Sequence, residues 1–162
     1  MDVFFEQIIK KKMTAKDWAL YLAIWGAAGL LTLLCFIILQ GMSFLPIVAV
    51  LFFAWKLSGK LFVEYEYIFT NGDLDIDKIT AKSSRKRIVA VNCTSAERFG
   101  RFTPELMPSF FGKKIYTFCD KADGDAMYMI VPHKNEGMIV IIFAPDKRIK
   151  EAIEKAVPRI AL

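Results

Sequence analysis

The sequence is poor in the residues that most catalytic and metal chemistry requires. Among 162 residues there is one histidine, His133, and there are three cysteines, Cys35, Cys93 and Cys119. With no Cys, Asp or Glu at ligand spacing from His133, the common zinc sets are excluded. An odd, sparse cysteine set without C-x-x-C excludes a disulfide framework and suits a reducing compartment. The thiols read as small buried hydrophobes. No G-x-G-x-x-G, Walker A or G-x-S-x-G motif is present, so dinucleotide, P-loop and elbow-type hydrolase chemistry have no anchor. No catalytic residue, cofactor or metal is expected. The largest absence is charge: the 38 residues from Trp18 to Trp55 contain no Asp, Glu, Lys, Arg or His. With 55% hydrophobic residues overall, that excludes disorder and an ordinary water-soluble chain.

The charge-free run reads as a membrane hairpin over residues 18–62. A first helix from Trp18 to Leu39 would extend about 33 Å, enough for a hydrocarbon layer of about 30 Å. A signal peptide is excluded by the length of this apolar segment and by the second apolar stretch behind it. Thr14 is expected to cap the helix, with Asp17 at its positive end. Ala19, Ala23 and Ala27 form a stripe of small residues that would let another helix approach closely, first of all the next helix of the same chain. Gln40–Ser43 reads as a tight turn with Ser43 as the next cap. To cross fully, the second helix must run from Phe44 through Lys56 and Lys60 to about Phe62, with both lysines snorkelling; the alternative is a re-entrant or interfacial helix. Lys10, Lys11, Lys12 and Lys16 precede the hairpin and Lys56 and Lys60 close it, so the positive-inside rule places the N-terminus and the C-terminal domain together in the cytoplasm. Residues 1–17 read as an interfacial segment, either a short amphipathic helix or a frayed tail.

From residue 63 the period changes from helical to alternating. Strands are expected at 63–69, 73–79, 85–92, 94–99, 113–120, 126–133 and 137–144. Asn71-Gly72 signals a type I′ hairpin turn, and Asp123-Gly124 and Asn135–Gly137 supply the last turns. Residues 146–157 carry Ile149, Ala152, Ile153, Ala156 and Val157 on one helical stripe, with Asp146 to start the helix and Pro158 to stop it. Strands do not alternate with helices, which excludes a doubly wound α/β sheet and leaves an antiparallel barrel or sandwich capped by one helix.

Seven antiparallel strands followed by a helix resemble the pleckstrin-homology (PH) superfold, here a seven-stranded barrel capped by a C-terminal helix over 63–162. A five-stranded OB barrel is the alternative. The whole chain is similar to small bacterial membrane proteins that carry a PH-like domain after a two-helix hairpin. The run YEYIFTNGDLDIDKI (65–79) with the following RKR resembles an uncharacterised family from Gram-positive bacteria, which brings no activity to carry over.

The resemblance implies a binding module. In phosphoinositide-binding PH domains a basic loop between early strands holds the phosphates, so Lys82, Arg85, Lys86 and Arg87 are candidates for anionic lipid headgroups. The competing reading is a charged edge strand protected from aggregation. Of the net charge of +5 the chain from Lys56 on carries +4, a mild balance without the dense, one-sided excess of a nucleic-acid binder, so nucleic acid is not the expected partner. Asp73, Asp75 and Asp77 have a calcium-loop look, but Lys78 and Ser84 stand where such a loop needs Gly and Glu, so they read as outward carboxylates on one strand face. The long connection FTPELMPSFFG (102–112) offers Leu106, Met107, Phe110 and Phe111 to a protein partner or the bilayer, or folds back as extra core. The expected function is therefore a non-enzymatic, membrane-anchored module engaging a protein partner or lipid, or else a structural subunit of a larger membrane complex.

Overall fold

A computed structural model describes residues 3–39, 44–119 and 124–158. The chain divides into two compact units, one of Met1–Lys11, Glu64–Ile79 and Arg85–Leu162, the other of Lys12–Val63 and Thr80–Ser84.

The second unit holds helices α1 (Ala15–Leu39) and α2 (Phe44–Gly59). Thr14 caps α1 as expected, and reciprocally: Asp17 N–H donates to Thr14 Oγ1 at 3.3 Å and Thr14 N–H to Asp17 Oδ2 at 3.0 Å. The 25 residues of α1 are long and apolar enough to cross a membrane. With 16 residues, or about 24 Å, α2 ends at Gly59 instead of continuing to Phe62. The helix-packing stripe also differs from expectation. Ala28 of α1 and Ala54 and Ser58 of α2 are the buried residues, whereas Ala19, Ala23 and Ala27 are exposed. Residues 21, 24, 28, 32 and 35 recur at steps of three and four and form the inner face of α1, and the alanine stripe lies on the other side. Trp18, Tyr21, Trp25 and Phe62 form a chain of ring contacts at 5.9–6.3 Å. The expected Gln40–Ser43 turn and the Ser43 cap lie outside the described residues.

Among the described residues there are eight strands, lying almost wholly in the first unit: β1 (Phe4–Lys10), β2 (Val63–Thr70), β3 (Asp73–Thr80), β4 (Ser84–Asn92), β5 (Arg98–Arg101), β6 (Lys114–Thr117), β7 (Met127–His133) and β8 (Gly137–Phe143), followed by α3 (Lys147–Ala156). They form two four-stranded sheets, β1-β2-β3-β4 and β5-β7-β8-β6. All seven expected strands are present, the fourth shifted to 98–101 because Cys93–Ser95 make a 3-10 turn. Three features correct the seven-stranded antiparallel barrel. Residues 4–10 are a strand, neither interfacial helix nor tail, paired antiparallel with β2 from Phe4↔Thr70 to Lys10↔Glu64. The helical hairpin is thus inserted in the chain between two neighbouring strands. β6 pairs parallel with β8, with β7 between them in the chain, and residues 102–113 carry the chain from β5 at one edge of the second sheet to β6 at the other. The strands form two separate sheets instead of one closed barrel.

Local chemistry explains the turns. Asn71 and Gly72 have φ of 49° and 101°, the positive pair a type I′ turn demands. Asp123 lies outside the described residues, while Gly137 starts β8 with φ of 70°. Asp146 caps α3 by accepting from Ile149 N–H at 2.8 Å. The core lies between the sheets, with Tyr67, Leu74, Ile76 and Val89 from one meeting Met129, Ile139, Ile141 and Phe143 from the other, and Ile149 and Ile153 of α3 complete it. Gln7 ties β1 to the β8–α3 junction: its Nε2 donates to Ala144 O at 3.3 Å and its Oε1 accepts from Asp146 N–H at 2.7 Å. Gln7→Ala is expected to cost about 1 kcal/mol, the net worth of such bonds, measured by pulse proteolysis of the full chain in urea. An unchanged midpoint would show that the bridge is dispensable.

Candidate binding site

The basic run is not a free cationic patch. Arg85 donates to Glu66 Oε1 at 2.8 Å, and the Glu66 side chain is fully buried. Arg87 reaches Asp75 at 3.0 Å and Asp77 at 3.3 Å. Both arginines are thus engaged with carboxylates of β2 and β3. Burial, then the neighbouring Glu6 carboxyl, raise the Glu66 pKa above the usual carboxylate range against the pull of Arg85. Burial also raises that of Asp75, opposed by Arg87. Lys82 sits in the β3–β4 turn with φ of 55°, and Lys86 is exposed on β4; neither has an ion pair among the described residues. Of the three aspartates Asp73 is exposed and accepts from Asn92 at 2.7 Å, Asp75 is partly buried, and only Asp77, at 4% exposure, departs from the outward placement its alternation suggests. β4 supplies the arginines that make this burial tolerable.

The long connection divides its residues between two roles. A 3-10 helix, Pro104–Phe110, folds back over the second sheet. There Phe110 is buried, its ring 5.3 Å from Tyr128, and Leu106 and Met107 pack partly against Phe102, Ile130 and Ile142. These three expected partner contacts are core. Phe111, the next residue, is 95% exposed, the highest value among the exposed large hydrophobics. It is held there by backbone bonds on either side: Phe111 N–H donates to Pro108 O at 3.3 Å and Lys113 N–H to Phe110 O at 3.1 Å, with Gly112 at φ of 78°.

Sequence reasoning missed a groove of about 560 Å³ in the first unit. Val3, Phe5, Phe69 and Ala152 give it apolar lining, and Arg148, Glu151 and Lys155 of α3 line it with charge of both signs. Its lining depends on β1, whose apolar spacing conceals a strand. The doublets Phe4-Phe5 and Ile8-Ile9 repeat every four residues, a helical spacing, although in a strand one member of each pair faces inward.

Over its full length, residues 1–162, the chain matches the family profile described as Bacterial PH-like domain (DUF6106). The chain belongs to this family. No curated protein matches it. PH-like domains are generally binding modules that do no catalysis and commonly take lipids or proteins. His133, half-buried at the end of β7, has its Nδ1 4.0 Å from Glu136, which itself holds Lys114 and the Tyr116 hydroxyl. Bonds from Lys114 and then Tyr116 pull the Glu136 pKa down. Cys93 is buried at the domain's heart, and burial pushes its thiol up to about 12, the state of an inert structural cysteine.

Proposed function

We propose that this PH-like protein is a non-enzymatic binding module, anchored in the cell membrane by α1 and α2 with its N-terminus and β-rich domain in the cytoplasm, and that it engages a protein partner through Phe111. The observation that carries the reading is the 95% exposure of Phe111 on a loop whose Leu106, Met107 and Phe110 side chains are engaged in packing. A rigidly presented aromatic side chain loses little conformational entropy on binding and is the residue type that dominates interface energetics. The partner surface it fits is an apolar recess. Lipid headgroup binding through the basic run is the weaker alternative, because Arg85 and Arg87 already hold carboxylates. The lysines on both flanks of the uncharged hairpin support the cytoplasmic placement.

Phe111→Ser in the full-length chain is expected to remove the partner from material copurified in mild detergent, by tenfold or more, and to leave stability within about 0.5 kcal/mol. Charge reversal at Lys82 and Lys86 is expected to leave copurification unchanged. An identical set of copurifying proteins with Phe111→Ser would overturn the reading. A structural subunit of a larger complex is the second reading, favoured by the Ala19, Ala23 and Ala27 face that α2 leaves exposed. A fixed stoichiometry that survives Phe111→Ser and fails with Ala23→Leu would select it.

A further inference from the structure

Strand β1 is the outer strand of its sheet, and its hydrogen-bonding parity is fixed at one end. Asn71 N–H donates to Val3 O at 3.0 Å. By the alternation of an antiparallel ladder, Val3, Phe5, Gln7 and Ile9 turn their backbone groups toward β2, and Phe4, Glu6, Ile8 and Lys10 turn theirs outward. No described residue of the chain bonds to that outward edge. Of the usual protections this edge carries only charge, at Glu6 and Lys10. Its register is continuous, without a bulge, it contains no proline, and Phe4 and Ile8 on it are 59% and 53% exposed.

We propose that this edge pairs antiparallel with β1 of a second copy of the chain, joining two four-stranded sheets into one of eight. The side chains select the register. Outward-bonding residues must oppose one another, so only even-numbered positions can meet. Setting Glu6 opposite Lys10 of the second copy, and Lys10 opposite its Glu6, places the two Ile8 residues face to face on the two-fold axis. The register one step shorter sets Glu6 against Ile8 and Lys10 against Phe4, wasting both charges. The next sets Glu6 against Glu6. The chosen register alone satisfies both charges and buries an apolar pair at its centre, the self-complementarity an isologous interface requires. Two further observations support it. Lys10 has no ion pair among the described residues. Glu6 lies beside the buried Glu66, one of whose carboxylate oxygens finds no donor among the described residues, so an incoming lysine brings positive charge where carboxylates are crowded.

The pairing does not depend on the Phe111 reading, and its test is separate. Directly opposed residues of a bonded pair have Cα atoms about 5.5 Å apart, inside the range a disulfide spans. In full-length chain embedded in membranes, with Cys35 and Cys119 replaced by Ala, Ile8→Cys is expected to give mostly covalent dimer under mild oxidation. Phe4→Cys is expected to give at least fivefold less. Lys10→Glu is expected to abolish the Ile8→Cys dimer, and the swap Glu6→Lys with Lys10→Glu to restore it. Equal crosslinking at positions 4 and 8, absence of crosslinking at 8, a mixed adduct with a different protein, or a dimer indifferent to Lys10→Glu would each overturn the proposal.

Discussion

Phe143→Ala is expected to destabilise the β-rich unit by about 4 kcal/mol, close to the whole stability of many domains of this size. Phe143 is fully buried at the end of β8. Its ring stands edge-on to Tyr67 at 5.7 Å and lies 6.5 Å from Phe99, so it touches both sheets at once. Truncation removes the transfer free energy of the ring and leaves a cavity that two rigid sheets cannot close. It also unseats the Tyr67 hydroxyl, which donates to Phe118 O at 3.1 Å and accepts from Ala144 N–H at 3.4 Å. The measurement is pulse proteolysis of full-length protein in detergent, followed on the β-rich fragment because the tryptophans Trp18, Trp25 and Trp55 report only the helices. A loss below about 1.5 kcal/mol would mean that α3 and the sheets collapse into the space, and that the core is far softer than its burial implies.

Arg85→Ala is expected to cost about 2 kcal/mol at neutral pH. Breaking a fully buried pair costs about 3–5 kcal/mol, and the figure is reduced because Arg85 is half exposed and screened by water. The pH dependence has a definite sign. Glu66 holds its proton to higher pH in the folded chain than in the unfolded one. Its contribution is therefore most favourable below the ordinary carboxylate range, and it is lost as pH rises through the folded value. Without Arg85 that value moves further up. The variant should then differ little from the parent at pH 4–5 and most at pH 7–8, and Glu66→Gln in the same chain should recover most of the loss. A deficit equal at both pH values, or untouched by Glu66→Gln, would show that the guanidinium contributes packing and not charge. The result also bears on lipid binding, since an arginine that neutralises a buried carboxylate is unavailable to a headgroup.

These two residues illustrate how differently parts of the chain announce themselves. Phe143 lies in GMIVIIF, a run apolar enough to mark a central strand buried on both faces, and the structure places it in β8 between β7 and β6. Arg85 lies in a run that reads as a charged edge. Its partner is 19 positions away on a strand that is not its neighbour, and no local pattern records that pairing. Phe110 and Phe111 make the same point at adjacent positions. Their residue type is identical, and one is 2% exposed, the other 95%.

Whatever follows from local periodicity and solvent preference is legible in the order of the amino acids alone. A charge-free run predicts an apolar helix, alternation flanking Asn71-Gly72 predicts a hairpin, and a stripe at 149, 152, 153 and 156 predicts α3, because each is a property of a few adjacent side chains and one solvent. Long-range contacts are what make residues 4–10 a strand, run β6 parallel to β8, pack α1 through Ala28 and occupy the arginines. Each of these depends on a ladder, a groove or a counter-charge supplied from elsewhere in the chain, and a residue's own neighbours in sequence carry no trace of a partner that only folding brings near.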